Sequence, residues 1–191
     1  TDEILFSKNG TTPMIPASMT KIMTAYVVFD RLERGEIALT DTMTVSENAW
    51  RKGGFASGGS TMGLAIGDEP TVEELLRGVI VLSGNDACIV LAEGLSGSED
   101  AFAAEMTALA RRLGLESASF TNVTGLDEDE HQISAEDLAR LAKLSIEQFP
   151  TYYAFYKEPA YEWRGIRQPN RNPLLGRMDG ADGLKTGHLS A

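Results

Sequence analysis

The sequence is short of several residue types, and each shortage closes off a class of function. It has one cysteine, Cys88, so no disulfide forms within the chain. Cys88 follows Ala87 in an apolar helical stretch and reads as a buried, inert thiol. The two histidines, His131 and His188, fall in neither an HExxH pattern nor beside a CxxC pair. A zinc site is therefore not expected, nor any other metal or cofactor. Positive charge is scarce: 17 Lys and Arg stand against 28 Asp and Glu, a net charge of −11. Binding to nucleic acid is dominated by neutralising phosphates, so no nucleic-acid partner is expected. An anionic substrate would need cations gathered locally at its site. No apolar run approaches membrane-spanning length. Thr1 to Lys8 lacks the basic start and apolar stretch of a signal peptide. The expectation is that such a signal has been removed or that the chain is intracellular.

What is present fits a soluble globular protein: 191 residues, 42% apolar and 24% charged, enough for one domain with two lobes. Ile4 to Ser7 reads as a short strand before a turn at Asn9-Gly10. Ile22, Ala25, Tyr26, Phe29 and Leu32 recur at helical spacing, which predicts a helix over about 18–34 that stops at Gly35. The glycines and serines of 51–67 read as loop. Thr71 with Glu74 forms a capping box for the next helix, whose apolar face is Leu75, Leu76, Val79, Ile80 and Leu82. Ser83-Gly84-Asn85 interrupts it, and a second helix runs on to Gly94. Ser98 caps a helix over 99–113, with Gly114 as its stop, and Ser134 with Asp137 caps another over about 135–147. Stretches 162–167 and 183–190 read as strands. The aromatic segment from Tyr152 to Trp163 reads as core packing and sheet cover. The acidic run Asp127 to Glu130 lacks the spacing and central glycine of a calcium loop and reads as a solvated loop. The order strand, helices, strands predicts an α+β fold in which an antiparallel sheet is flanked by helices and carries an inserted helical lobe at about 40–150.

Three short motifs carry chemistry. In Ser18-Met19-Thr20-Lys21 the serine and lysine share a helix face. A serine hydroxyl becomes a strong nucleophile when a base takes its proton, and a desolvated lysine is such a base. The helix N-terminus adds backbone N–H groups suited to an oxyanion. Taken alone the motif is weak, since a Ser-x-x-Lys is expected roughly once in a chain this long. Ser18 as a plain N-cap and Lys21 as a surface lysine would then be preferred. Ser83-Gly84-Asn85 presents a hydroxyl and an amide from a tight loop; alone it reads as a helix-breaking turn. Lys185-Thr186-Gly187-His188 offers a cation, a hydroxyl and a position where a backbone approaches closely, on a strand edge that can pair with an extended peptide. Alone it is a strand end. All three in this order arise by chance about one time in a thousand on composition.

Ser-x-x-Lys, Ser-x-Asn and Lys-Thr-Gly are the signature set of serine penicillin-recognising enzymes. The sequence resembles the low-molecular-mass penicillin-binding proteins that act as D-alanyl-D-alanine carboxypeptidases. The resemblance runs through Pro16-Ala17-Ser18-Met19-Thr20-Lys21, Ser83 to Ala87, Phe120 to Asn122 with Gly125-Leu126, Asn170-Arg171-Asn172 and Asp182 to His188. Gly84 stands where class A β-lactamases usually have aspartate, and the Glu-x-x-Leu-Asn motif of those enzymes is missing. The resemblance implies Ser18 as the acylated nucleophile, Lys21 as its base and Ser83 as the proton relay to the leaving group. It places Asn85 on the acyl-side amide, and Lys185, Thr186 and Arg171 on the substrate carboxylate. Gly187 and His188 belong to the same substrate-binding strand, and the N–H groups of Ser18 and His188 form the oxyanion hole.

The substrate it implies is a peptidoglycan stem peptide ending in D-Ala-D-Ala, with β-lactam antibiotics as inhibitors. A periplasmic or extracytoplasmic location follows, with membrane attachment through parts outside this chain. Relative to the family pattern the chain ends three residues after His188, and the expectation is a single transpeptidase-like domain over 1–191, truncated at its C-terminus. Such a chain should expose a sheet edge. The alternatives are a β-lactamase or endopeptidase with the same chemistry, and a non-catalytic module that grips peptidoglycan.

Overall fold

The computed structural model describes residues 3–188. Two helices form its centre. Helix α1, Lys21–Glu33, is buried along nearly its whole first two turns, from Lys21 through Phe29. A helix in this position loses the usual polar face because neighbours cover it on every side. It is preceded by a single 3-10 turn, Ala17–Thr20, so the helix predicted over 18–34 begins in tighter geometry. The predicted stop holds: Gly35 takes a left-handed φ of 68°.

The next helix, α2 (Glu47–Gly53), is capped by Ser46, whose hydroxyl accepts from the Ala49 N–H. It occupies the start of the stretch expected to be loop. Its seven residues are too few to show a periodic pattern beside the glycines that follow. Helix α3 (Val72–Ile80) carries the expected capping box at Thr71 and Glu74, with both reciprocal hydrogen bonds made. Its buried face is Leu75, Leu76, Val79 and Ile80, and each such side chain contributes roughly 1.5–3 kcal/mol of burial. Helix α4 (Asn85–Ser96) is the second central helix, buried from Asn85 through Ala92, and it packs against α2, α3 and α5. Cys88 sits on it fully buried, and desolvation pushes its thiol up to about 12, as expected of an inert cysteine.

Helix α5 (Glu99–Arg112) starts at Ser98 and α6 (Ala135–Gln148) at Ser134, each serine accepting from the N–H three residues on. Pro150 opens a short α7 (Pro150–Tyr153), where its missing N–H costs nothing. Tyr153, Phe155 and Tyr156 are buried, so this part of the aromatic segment is core, as expected.

The strands are fewer and shorter than expected, though the α+β class holds. β1 (Pro13–Met14) pairs antiparallel with β2 (Ile133–Ser134). β3 (Ala160–Trp163) pairs antiparallel with β4 (Ile166–Pro169). The predicted single strand at 162–167 is therefore a hairpin. Arg164 and Gly165 both take positive φ, 49° and 78°, and make the two-residue turn. Ile4 to Ser7 is not a strand; Ile4, Leu5 and Phe6 stand exposed without a ladder. The chain from 183 to 188 is likewise unpaired, and the rest of that predicted strand, 189–190, lies outside the described residues. A strand needs a partner as well as a sequence, and neither segment has one among the described residues. No helix there is long and apolar enough to cross a membrane.

Candidate active site

The 3-10 turn at Ala17–Thr20 explains how the first motif is presented. In this geometry side chains at i and i+3 eclipse, which stacks Ser18 on Lys21. Ala17 takes φ 51°, a conformation an alanine rarely adopts. It aims Ser18 into a cavity of about 640 Å³. Lys21 lies behind the serine, 1% exposed, with Nζ 2.9 Å from Ser18 Oγ and 2.6 Å from the Thr124 carbonyl oxygen. Burial dominates its titration and lowers its pKa below the ordinary lysine value, against smaller opposing contributions from Cys88 and Asp86.

The second motif caps the cavity from α4. Ser83, also at positive φ (61°), and Asn85 are both buried and both line it. Asn85 is anchored by its own N–H to the Ser60 carbonyl, 2.9 Å. The residue after it, Asp86, is fully buried and accepts from the Thr61 hydroxyl (2.7 Å) and from the N–H groups of Met62, Gly63 and Leu64 (2.8–3.0 Å). This carboxylate folds the 61–64 loop onto the start of α4, so the Gly58–Ser60 wall of the cavity is fixed relative to Asn85. Asp86 was missed from the sequence, where nothing separates it from a helix N-terminal acid.

The third motif arrives on the opposite side. Lys185, Thr186, Gly187 and His188 line the same cavity, as does Arg171. Gly187 is needed for the approach. A Cβ there would lie 3.0 Å from the Pro16 carbonyl oxygen and 3.2 Å from Ala17 Cβ and Met19 Cγ. The glycine admits the protein's own Ala17–Thr20 turn. Lys185 is nearly buried, and its Nζ donates to the Thr186 carbonyl at 2.8 Å. Desolvation first, then the proximity of Lys21 and Arg171, lowers its pKa to about 7. The exposed Arg171 guanidinium is held by Gln168 Oε1 at 2.9 Å. The overall charge is acidic, yet this cavity holds the local cations that an anionic substrate requires.

The Peptidase S11 family model, described as D-alanyl-D-alanine carboxypeptidase, matches residues 1–191. The chain belongs to that family. The chain is 44% identical over 187 residues to D-alanyl-D-alanine carboxypeptidase DacC of Escherichia coli, covering 97% of this chain and 47% of that protein. It is 39% identical over 192 residues to DacF of Bacillus subtilis, covering 98% and 48%. It thus spans about half the length of the curated relatives it matches. Among solved structures, penicillin-binding protein 5 of Haemophilus influenzae superposes with a TM-score of 0.93 at 39% identity, covering 98% of this chain and 54% of that one. The Streptomyces K15 DD-transpeptidase superposes at 0.85 with 28% identity, covering 96% and 74%.

The loop at 120–126 also enters the site, where Thr124, Gly125 and Leu126 line the cavity. Asn122 Oδ1 accepts from Gly125 N–H at 2.8 Å and Thr124 N–H at 3.2 Å, while its Nδ2 donates to Leu126 O at 2.9 Å. This side chain shapes the turn that delivers the Thr124 carbonyl to Lys21. The signal in the sequence was the Asn-x-Thr-Gly string, a side-chain-capped turn ending in glycine. Its partner could not be read, because a backbone carbonyl has no residue-type signature.

Proposed function

We propose that the protein is a serine D-Ala-D-Ala carboxypeptidase that removes the terminal D-alanine of peptidoglycan stem peptides through an acyl-enzyme on Ser18. The observation that carries this is the buried Lys21 amine held 2.9 Å from Ser18 Oγ at the floor of a cavity that also holds Ser83, Asn85 and Lys185. Lys21 in its neutral form takes the Ser18 proton as Oγ attacks the carbonyl carbon of the penultimate D-alanine. The N–H groups of Ser18 and His188 receive the oxyanion. The C–N bond breaks, Ser83 relays the proton held by Lys21 to the leaving amine, and D-alanine departs. Water then hydrolyses the ester, returning the proton to the serine. Asn85 holds the acyl-side amide. Lys185, Thr186 and Arg171 hold the terminal carboxylate, and Gly187 keeps that strand against the nucleophile turn. β-Lactams occupy the same site and acylate Ser18. In this reading residues about 40–150 are the helical lobe of one transpeptidase-like domain, and the protein works in the periplasm or outside the cytoplasm, attached to the membrane through parts outside this chain.

The test is release of D-alanine from a peptide ending in D-Ala-D-Ala by the full-length protein. Wild-type protein is expected to turn over, and Ser18→Ala to show none; turnover by Ser18→Ala at the wild-type rate would overturn the reading. Comparison with hydrolysis of a chromogenic cephalosporin separates carboxypeptidase from β-lactamase.

A pH dependence follows from Lys185. With its pKa lowered to about 7, part of its charge is lost just above neutrality. A bound carboxylate favours the ammonium and raises the pKa again, so binding above pH 7 draws in a proton. Affinity for the carboxylate peptide should therefore fall by up to about tenfold per pH unit above 7, and this group should contribute no slope well below it. Calorimetry on Ser18→Ala in buffers of different ionisation enthalpy should show uptake approaching about one proton at about pH 8.5. Zero uptake there would contradict the assignment.

A further inference from the structure

His131 lies outside the three motifs, yet it is joined to the first of them. It is 1% exposed, set edge-on to Phe120 with ring centroids 5.7 Å apart. Its Nδ1 accepts from the Thr121 N–H at 3.1 Å, with the Asn122 N–H at 3.4 Å. The ring proton is therefore on Nε2, which stands 2.7 Å from the hydroxyl oxygen of Thr20 and donates to it. Thr20 lies between Ser18 and Lys21 on the nucleophile turn. One ring thus bonds at once to that turn and to the start of the loop whose later carbonyl, from Thr124, accepts from Lys21.

We infer that His131 is a positioning residue for acylation, holding the Thr124 carbonyl in the place that orients the Lys21 amine toward Ser18. This rests on the reading of Ser18 and Lys21 as nucleophile and base. A neutral amine has two hydrogens and one lone pair. With one hydrogen held by the Thr124 carbonyl at 2.6 Å, rotation about the last C–N bond is restricted, and the lone pair can face Ser18 Oγ at 2.9 Å. The Asn122 side chain makes the 122–126 turn a rigid unit through three hydrogen bonds. The imidazole is one of the ties that locate that unit relative to the nucleophile turn; Thr24 Oγ1, which donates to the Val123 carbonyl at 2.8 Å, is another. Both ring nitrogens are committed, so the device works only with neutral His131. Burial lowers its pKa, against an opposing contribution from Glu128, and keeps it in that form at neutral pH.

The experiment compares His131→Ala, His131→Asn and His131→Gln in the full-length protein, following acylation by a fluorescent penicillin. Three quantities are read: the acylation rate constant, the dissociation constant of the initial complex and the fraction of protein that labels. His131→Ala should lower the rate constant by about 10–100-fold, the range of a misplaced catalytic group, with the initial complex and the labelling fraction unchanged. Asparagine sets its oxygen where Nδ1 was, so His131→Asn should recover most of the rate. Glutamine places its amide toward Thr20 and leaves the Thr121 N–H without an acceptor, so His131→Gln should stay slow. Should His131→Ala fail to fold, the Asn-to-Gln ratio decides alone. A normal rate constant with a smaller labelling fraction would reduce His131 to a core residue and overturn the inference. So would equal rates for Asn and Gln. Absence of labelling in the wild type would instead overturn the reading of the site itself.

Discussion

Replacing Lys21 by methionine is expected to lower the rate of acylation by about 10²–10⁴-fold, the span that a positioned base contributes. Methionine fills nearly the same volume and takes no proton. It leaves the Thr124 carbonyl without the donor now 2.6 Å away, while removing the cost of burying an amine. The two effects oppose each other, so folding should change far less than activity. Lys21→Arg separates charge from basicity. A guanidinium keeps its proton at any working pH, and it should not restore the rate. Burial lowers the Lys21 pKa, so the wild-type rate should fall only as pH drops through that lowered value. A rate limb at the ordinary lysine pKa of 10.5 would mean an exposed, ordinary amine. Labelling time courses with a fluorescent penicillin, on protein whose folded fraction is checked by circular dichroism, measure all of this. An active Lys21→Arg protein would contradict the role of base.

Gly125→Ala is expected to be the most damaging single methyl in the molecule. A Cβ at this position would lie 1.8 Å from the Ala17 carbonyl oxygen, 2.3 Å from its carbon and 2.9 Å from Ser18 N. Those are backbone atoms of the Ala17–Thr20 turn and cannot rotate away. Gly125 also holds φ 88°, which costs any L side chain about 1–2 kcal/mol before the clash. The sum should reach about 3–5 kcal/mol, or be relieved by displacing Ser18 and abolishing acylation. Gly97 is the control. It holds φ 81° with nothing within 4 Å of its Cβ, so Gly97→Ala should cost about 1–2 kcal/mol and leave acylation intact. Urea midpoints for the two variants give the comparison. Equal losses would mean that the approach of Gly125 to the turn is not tight.

The contrast between these two residues marks what could be read from the sequence. Lys21 was legible because three motifs in order carried it, and each pairs a residue type with a chemical need. The helices were legible where caps and apolar spacing agreed, as at Thr71 with Glu74 or Ser98 and Ser134. Helix α2 was not, since seven residues beside a glycine-rich stretch give no period. The segments at 4–7 and 183–188 read as strands because their composition suits strands, but pairing is a property of two segments. The hairpin at 160–169 was half seen, its turn hidden because arginine rarely takes positive φ. The supports of the site escaped for a different reason. Asp86 acts on backbone N–H groups, His131 on a backbone N–H and a threonine, and the Thr124 carbonyl belongs to no residue type. Sequence motifs record the side chains that meet substrate; the groups that hold those side chains in place are mostly main chain.

The central claim is that Ser18 is the atom acylated. Incubating the full-length protein with a β-lactam, digesting it and reading the peptide that contains residues 18–21 by mass spectrometry tests this directly. The account predicts one antibiotic mass added to Ser18, absent from Ser18→Ala and slow to form in Lys21→Met. An adduct on another residue, or one that persists in Ser18→Ala, would contradict it.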